Sequence, residues 1–262
     1  MEPDTHAANR TRIRIRIKGP DYRLADQAAA DITKSVIASG VRALGPLPLP
    51  ATVEAIRTAS SSEDVRSHVR LVEVIESRPQ TIGALQGLNL PGGVEIGIIA
   101  PEDPVEAPAL APGQAPAKRN RRRDSRVAAM QFLYSWEIQH HGDMVTALYD
   151  FFGKQVQARE YYAFAEELIQ GVIRDQALID EVIVRFAQNW AFERIAKVDL
   201  ATLRVAIFEL MRRTDVPPVV AINEAIDIAK AFSTEESRRF VNGILDRYLA
   251  GLGRDPRKAE GA

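Results

Sequence analysis

The sequence contains no cysteine, only two tryptophans and only four histidines. The absence of cysteine excludes disulfides, thiol catalysis and cysteine-ligated metal, and it favours a cytoplasmic protein. The histidines do not lie at metal-ligand spacing with carboxylates, so neither a metal nor a cofactor is expected. The sequence has no run of about 18 apolar residues and no apolar signal core in its first thirty residues, so neither a membrane span nor secretion is expected.

Charge is distributed unevenly along the chain. The net charge of the 262 residues is −1, which does not favour a general nucleic-acid coat. Between residues 118 and 126, however, there are six basic residues and one acid, a local charge of +5. The basic residues are Lys118, Arg119, Arg121, Arg122, Arg123 and Arg126. Such a strip favours contact with RNA, and the alternative is a solvated basic run.

A break in composition divides the chain into two halves. Residues 100–117 contain five prolines and no aromatic residue, which predicts an extended linker rather than an ordered loop. We therefore expect an N-terminal domain over residues 1–99, a C-terminal domain over residues 118–254 and a disordered tail over residues 255–262.

The N-terminal half has the pattern of an α+β domain. Residues 12–18 alternate isoleucine with basic side chains, which predicts a half-buried strand. Further along, the pattern predicts a helix over 26–39, an extended proline-rich segment over 45–50, a strand over 69–75, a helix over 81–88 and a strand over 94–99. This order predicts a two-layer α+β sandwich.

The C-terminal half is predicted to be an all-α helical bundle. Apolar residues recur at helical spacing in five segments, around Tyr134, Ile169, Leu203, Ile226 and Ile244. Asp199 is predicted to cap the helix that carries Leu203. Trp136 and Trp190 are expected in the core or in an interface.

Several segments resemble two families of transcription factors. The first is the NusE family, and NusE is the name of small-subunit ribosomal protein ten in its transcription role. The segments that resemble this family are residues 12–18, 21–24, 45–50, 68–75 and 92–96. The second is the NusB family, and the segments that resemble it are residues 122–126, 133–136, 212–217, 221–226 and 240–246. The chain is therefore expected to be a head-to-tail fusion of NusE-like and NusB-like domains that dock on each other.

The resemblance implies a transcription antitermination factor and not an enzyme. In these families the two proteins bind boxA-type RNA in the nascent transcript and, with other Nus factors, keep RNA polymerase elongating. The charge pattern and the resemblance together predict RNA contacts at Arg119, Arg121, Arg122, Arg123, Arg126, Tyr134, Arg239, Phe240, Asn242 and Arg23. The resemblance also implies that Glu166 and Glu167 face the other domain. A place in the core is the alternative for Tyr134.

Two other functions are alternatives to this one. The first is a structural small-subunit ribosomal protein with a NusB appendage. Residues 51–67 are shorter than the family's ribosome-binding hairpin, and residues 1–100 carry a net charge of only +1, which argues against this function. The second is an rRNA cytosine methyltransferase with a NusB-like domain, which would need a cofactor domain and a catalytic cysteine. The sequence also differs from the NusE family at Tyr22, a position where that family usually has histidine.

Overall fold

The structure is a computed structural model that describes residues 12–57, 62–75, 79–99, 121–139, 143–155, 157–187 and 190–259. The predicted linker and the predicted RNA contact Arg119 lie outside these ranges. The domain boundaries around the linker therefore stay predictions. In the described ranges, no helix is long and apolar enough to cross a bilayer.

The N-terminal domain is a four-stranded antiparallel sheet with two helices, which confirms the predicted α+β class. Its elements are β1 (Ile13–Gly19), α1 (Tyr22–Ala38), β2 (Arg42–Arg57), β3 (Ser62–Ile75), α2 (Pro79–Gln86) and β4 (Glu95–Ile99). The strands lie in the order β2-β3-β1-β4. The proline-rich segment, predicted only as extended, belongs to a full strand that pairs with β3.

The alternation in β1 places its isoleucines under α1. Ile15 and Ile17 are buried in one cluster with Ile32 of α1, as the period-two pattern predicts. Helix α1 begins at Tyr22, four residues earlier than predicted, because the side chain of Asp21 caps it. The Asp21 carboxylate accepts a hydrogen bond from the backbone N–H of Arg23 at 2.7 Å.

A bulge bends β2 where it meets the second domain. Gly45 has φ +94°, and a Cβ at this position would lie 2.6 Å from the carbonyl oxygen of Leu71, so only glycine fits. The pairing register with β3 shifts between Leu44 and Leu47. Beyond the shift, the carbonyl of Pro48 accepts a hydrogen bond from the side chain of Gln131 at 2.9 Å.

The C-terminal domain is all-helical, as predicted. Its elements are α3 (Arg121–Gln139), α4 (Met144–Phe152), α5 (Ala163–Arg174), α6 (Gln176–Phe186), α7 (Lys197–Arg212), α8 (Pro218–Phe232) and α9 (Glu235–Leu252), with short 3-10 turns at Arg159–Tyr162 and Phe192–Arg194. Every residue of α7 from 198 to 210 is buried, so α7 is the central helix, and α3, α5, α6, α8 and α9 pack around it. Asp199 was wrongly predicted as a cap, because α7 begins at Lys197 and Asp199 is buried in its first turn.

The predicted start of the disordered tail, residue 255, is too early. The carbonyl of Pro256 accepts a hydrogen bond from the backbone N–H of Val219 at 2.9 Å. Arg254, just before it, donates to the carbonyl of Leu210 at 2.8 Å. These contacts hold the chain against the bundle past residue 255.

The two domains dock through a buried polar cluster of three residues. Arg70 of β3 donates from Nε to Asp26 of α1 at 2.7 Å and to the hydroxyl of Tyr134 at 2.9 Å. Tyr134, on α3, donates its own proton to Asp26 at 2.6 Å. Arg70 and Tyr134 are fully buried, so the charge of Arg70 depends on both partners.

Further contacts between the domains surround this cluster. Arg66 donates from Nε to the carbonyl of Ser233, at the end of α8, at 2.8 Å. Arg42 pairs with Asp150 of α4, and Lys154 lies 3.7 Å from Glu73. The helical domain therefore covers the β2 edge of the sheet.

Glu166 and Glu167 do not belong to this interface, so that expectation is wrong. Glu166 pairs with Arg159 at 2.7 Å, and Glu167 pairs with Arg213. Both partners lie in the helical domain. The contacts across the domains come instead from α1, β2 and β3 on one side and from α3, α4 and α8 on the other.

We predict that Asp26→Ala will separate the domains once the linker is cut. The substitution leaves Arg70 buried without its carboxylate, which costs about 3–5 kcal/mol. A protease site inserted near Gly113 allows the linker to be cleaved, and a sizing column then reports whether the halves stay together. The halves of the parent should co-elute, and those of Asp26→Ala should part.

Glu54→Ala is the matched control. Glu54 also pairs with a basic residue of its own domain, Lys18 at 2.6 Å, but its side chain is exposed. Loss of an exposed pair costs about 0–1 kcal/mol, so the halves of this variant should co-elute like those of the parent. Separation of the parent halves at micromolar concentration would contradict the docked arrangement.

Candidate nucleic-acid interface

Three arginines, Arg121, Arg122 and Arg123, form the first turn of the described part of α3. We call them the arginine strip. Arg121 donates to the backbone carbonyl of Tyr161 at 2.8 Å. Arg122 lies 3.1 Å from Asp215 and above the ring of Phe164, 4.9 Å from its centroid. All three remain partly or largely exposed.

Acidic residues of α8 hold the third member of the strip. Arg123 lies 3.0 Å from Asp227 and 3.5 Å from Glu224. The strip is thus a row of exposed arginines whose charges are partly offset by neighbouring carboxylates. Exposed pairs of this kind are weak, so a phosphate can replace the carboxylate as a partner.

Arg126, which continues the basic run, is not part of this surface, and its assignment is corrected. Its side chain is buried, and its guanidinium makes two hydrogen bonds to the carboxylate of Glu209, at 2.9 and 2.8 Å. Glu209 lies on the central helix α7 and is 1% exposed. A buried bidentate pair cannot be exchanged for RNA without leaving Glu209 uncompensated.

Tyr134 is corrected in the same way. Its ring and hydroxyl are buried in the cluster between the domains, and burial raises the pKa of the hydroxyl well above its ordinary value. Tyr134 therefore occupies a buried position, as its alternative prediction of a place in the core had it. Its role is to join Arg70 and Asp26 across the interface.

The predicted contacts on α9 lie near its beginning. Arg239 is exposed, and Asn242 donates to Asp246 on its own helix at 2.8 Å. Phe240 is half-buried and packs on Trp190, with 5.5 Å between the ring centroids. Trp190 is 51% exposed, which excludes the core, one of the two positions expected for it, and leaves an interface as a prediction.

The first turn of α9 is anchored to α7 by a buried carboxyl group. Ser237 donates to Oδ2 of Asp199 at 2.6 Å, and Asp199 Oδ1 has no hydrogen-bond partner among the described residues. Burial is the main cause that raises the pKa of Asp199, to about 6. This contact fixes the helix that carries Phe240, three residues further on.

Arg23 lies apart from the strip, in a cleft between the two domains. The cleft has a volume of about 800 Å³ and is also lined by Phe192, Arg194 and Lys197 of the helical domain. None of these three was predicted. The signal in the sequence is a pair of aromatic residues, Trp190 and Phe192, followed closely by two basic residues, Arg194 and Lys197, in a segment that periodicity assigns to no element.

This arrangement of exposed guanidinium groups can bind an anion. Among the described residues, no group of histidine and carboxylate side chains is arranged to hold a metal ion. The buried arginines are engaged in ion pairs: Arg70 pairs with Asp26, and Arg126 pairs with Glu209. The exposed arginines and aromatic rings are groups that bind nucleic acid in other proteins.

Comparison with known proteins matches the two domains separately. The NusB family matches residues 123–250, and the family "Ribosomal protein S10p/S20e" matches residues 14–99. Transcription antitermination protein NusB of Oleidesulfovibrio alaskensis is 43% identical over 144 residues, which cover 53% of this chain and 93% of that protein. The protein of the same name from Methylacidiphilum infernorum is 38% identical over 133 residues and is covered to 93%.

Solved structures also match half of the chain. T. maritima NusB is 34% identical, with a TM-score of 0.47, and covers 51% of this chain and 93% of its own. A chain from a crystal structure of antitermination factors NusB and NusE in complex with dsRNA is 22% identical, with a TM-score of 0.45. It covers 50% of this chain and 96% of its own.

We predict that Asp199→Asn will change how stability depends on pH. The pKa of Asp199 in the folded chain, about 6, lies above that of an unfolded aspartate, so its contribution to stability is present at low pH and is lost as the pH rises through 6. The amide cannot ionise. The free energy of unfolding of the variant, minus that of the parent, should therefore increase from pH 4 to pH 7, by at most about 3 kcal/mol.

The quantity to measure is the difference in the free energy of unfolding between the variant and the parent, obtained by chemical denaturation at each pH. His68 is buried, and burial with Arg70 beside it lowers its pKa to about 4, so it acts in the opposite direction over the same range. Its effect is common to both proteins and cancels in the difference. Parallel curves would contradict a titrating Asp199.

Proposed function

This chain belongs to the NusB family, and on that premise we propose that it is a transcription antitermination factor. In this proposal the two docked domains bind boxA-type single-stranded RNA in nascent rRNA transcripts. They also link that RNA to the elongating RNA polymerase with other Nus factors. The role is one of binding and needs no catalysis.

The observation that carries the proposal is the docking of the two matched domains within one chain. Residues 123–250 match a family whose curated relatives are named antitermination proteins, and residues 14–99 match a second family that is named as a ribosomal protein. The buried cluster of Arg70, Asp26 and Tyr134 joins them. A fusion that keeps the partners docked supports a joint function.

The arginine strip supports the RNA part of the proposal. Arg122 and Arg123 are about half exposed, and their planar guanidinium groups suit phosphates and bases. Their present partners, Asp215 and Asp227, are themselves exposed. RNA binding then exchanges a weak pair with a carboxylate for a pair with a phosphate, and it releases counterions.

The outer edge of the sheet supports the link to a protein partner. Strand β4 lies at the edge, and in the described part of the chain it pairs only with β1. Ile96 and Ile98 on this strand are 39% and 64% exposed, and Ile82 of α2 is also exposed. An open edge with exposed apolar side chains is a surface on which another protein can add a strand.

The runner-up function is that of a structural ribosomal protein. The hairpin of β2 and β3 argues against it, since Arg66 on this hairpin donates to α8 of the helical domain. Glu54, on the opposite strand, pairs with Lys18. Part of the hairpin is thus occupied within the chain, and little positive charge remains on it to neutralise rRNA phosphates.

We predict that Arg122→Ala combined with Arg123→Ala will weaken RNA binding and flatten its salt dependence. Each lost phosphate contact lowers the slope of log affinity against log salt by about 0.7 for single strands, so the two together should lower it by about 1.4. Fluorescence anisotropy of a labelled boxA-type single-stranded RNA, measured over a series of salt concentrations, gives the slope.

Arg174→Ala combined with Arg185→Ala is the control for this pair. Both arginines are exposed on the helical domain, and Arg174 is also paired with a carboxylate, that of Asp175 at 2.9 Å. The control should keep the slope of the parent. If the strip variant also keeps it, the strip is a solvated surface and not an RNA contact.

We also predict that this chain is absent from small ribosomal subunits. The short, weakly basic hairpin does not supply the cations that binding inside rRNA requires. Quantitative mass spectrometry of small subunits purified at high salt is the measurement, with a known small-subunit protein as the internal standard. Recovery of one copy per subunit would establish the ribosomal function instead.

A further inference from the structure

The cleft between the domains is walled by both of them. One wall is the beginning of α1, with Tyr22, Arg23 and Gln27. The other wall is formed by residues 192–197, which connect α6 to α7. We call residues 190–197 the cleft segment. The volume of about 800 Å³ falls within the usual range of pockets that hold a ligand of nucleotide size.

The cleft is lined by cations from both domains. Arg23, Arg194 and Lys197 line it, and none of them forms an ion pair within the described ranges. Two of the acids in the wall have partners elsewhere: Asp26 pairs with Arg70 at 2.7 Å, and Glu137 lies 2.9 Å from Arg204, which also pairs with Asp180 at 2.8 Å.

Glu193 is the remaining acid in the wall of the cleft. Unlike Asp26 and Glu137, it forms no ion pair in the part of the chain that the structure describes, and the three cations and three carboxylates of the lining balance in formal charge. The arginine strip differs, because Arg122 and Arg123 are paired with carboxylates of the helical domain. An anion in the cleft can therefore contact Arg23, Arg194 and Lys197 without displacing an ion pair of the described chain.

Two aromatic residues belong to the cleft segment. Phe192 is half-buried in the wall of the cleft. Trp190, two residues earlier, is 51% exposed, and its ring packs on Phe240 of α9. Large exposed aromatic side chains beside unpaired cations are the combination that binds single-stranded nucleic acid, since the rings stack on bases and the cations contact phosphates.

We infer that the cleft segment is a second contact region for single-stranded RNA, in which Trp190 stacks on a base and Arg194 and Lys197 contact phosphates. This inference rests on the proposed function and extends its RNA surface from α3 to the cleft between the domains. An acidic peptide would satisfy the cations but would leave the exposed indole without a stacking partner. RNA satisfies both.

Tryptophan fluorescence tests the stacking directly, because the chain has only two tryptophans. Trp136→Phe leaves Trp190 as the single reporter. When the boxA-type single-stranded RNA of the salt titration is added, the emission of Trp190 should be quenched, with the same midpoint as the anisotropy of the labelled RNA. Trp190→Ala should weaken binding about tenfold, and Trp190→Phe, which keeps a stacking ring, should retain most of the affinity.

The cations are tested by their salt dependence. Arg194→Ala combined with Lys197→Ala should lower the log–log slope by about 1.4, in addition to the effect of the strip variant. Lys34→Ala combined with Arg257→Ala removes two exposed cations elsewhere and should leave the slope unchanged. Thermal unfolding of each variant shows whether it is folded under the conditions of the titration.

The outcomes separate this inference from the proposed function. RNA binding without quenching of Trp190, and with an unchanged slope for the cleft variant, would overturn the cleft segment as a contact and leave the proposed function standing. Absence of RNA binding by the parent would overturn both. Equal quenching by a polyglutamate peptide would identify a cleft for acidic peptides and overturn the RNA contact.

Discussion

The guanidinium of Arg70 is a positive charge held away from water between two domains, and much of the molecule is arranged around it. Its carboxylate partner, Asp26, comes from the same domain, and Tyr134 of the other domain closes over the pair. A charge removed from water costs several kcal/mol unless its hydrogen bonds are satisfied. The domains therefore have one orientation in which Arg70, Asp26 and Tyr134 are all paired, and other orientations leave a buried polar group without a partner.

This orientation decides which surfaces of the N-terminal sheet remain open. The bend at Gly45 turns β2 toward α3, and Arg66 ties β3 to the end of α8, so the β2 edge is covered. The opposite edge, β4, carries exposed isoleucines. A tether of moderate length gives the domains an effective concentration on the order of millimolar, so even a weak interface would stay closed. The docked arrangement thus covers one edge of the sheet and leaves the other open.

The docked arrangement also creates two cationic surfaces of different character. The arginine strip is exposed, but Asp215 and Asp227 lie against it, and RNA has to replace them. The cleft holds Arg23 together with Arg194 and Lys197, which form no ion pair within the described part of the chain. Because its walls come from both domains, the cleft exists only when the domains are docked. RNA that binds there favours the docked state by the same free energy by which docking favours RNA binding.

The sequence by itself determined the class of both domains and the exposed basic strip, because hydrophobic period and local composition are local properties of the chain. It could not separate Arg126 from Arg122, although they lie one turn apart on α3. Only packing decided that Glu209 of the central helix faces Arg126 and buries it. The same holds for Tyr134, which lies at a partner interface, and for Trp190, which is exposed. Burial and pairing depend on residues that are distant in sequence, and those meet only in the folded, docked chain.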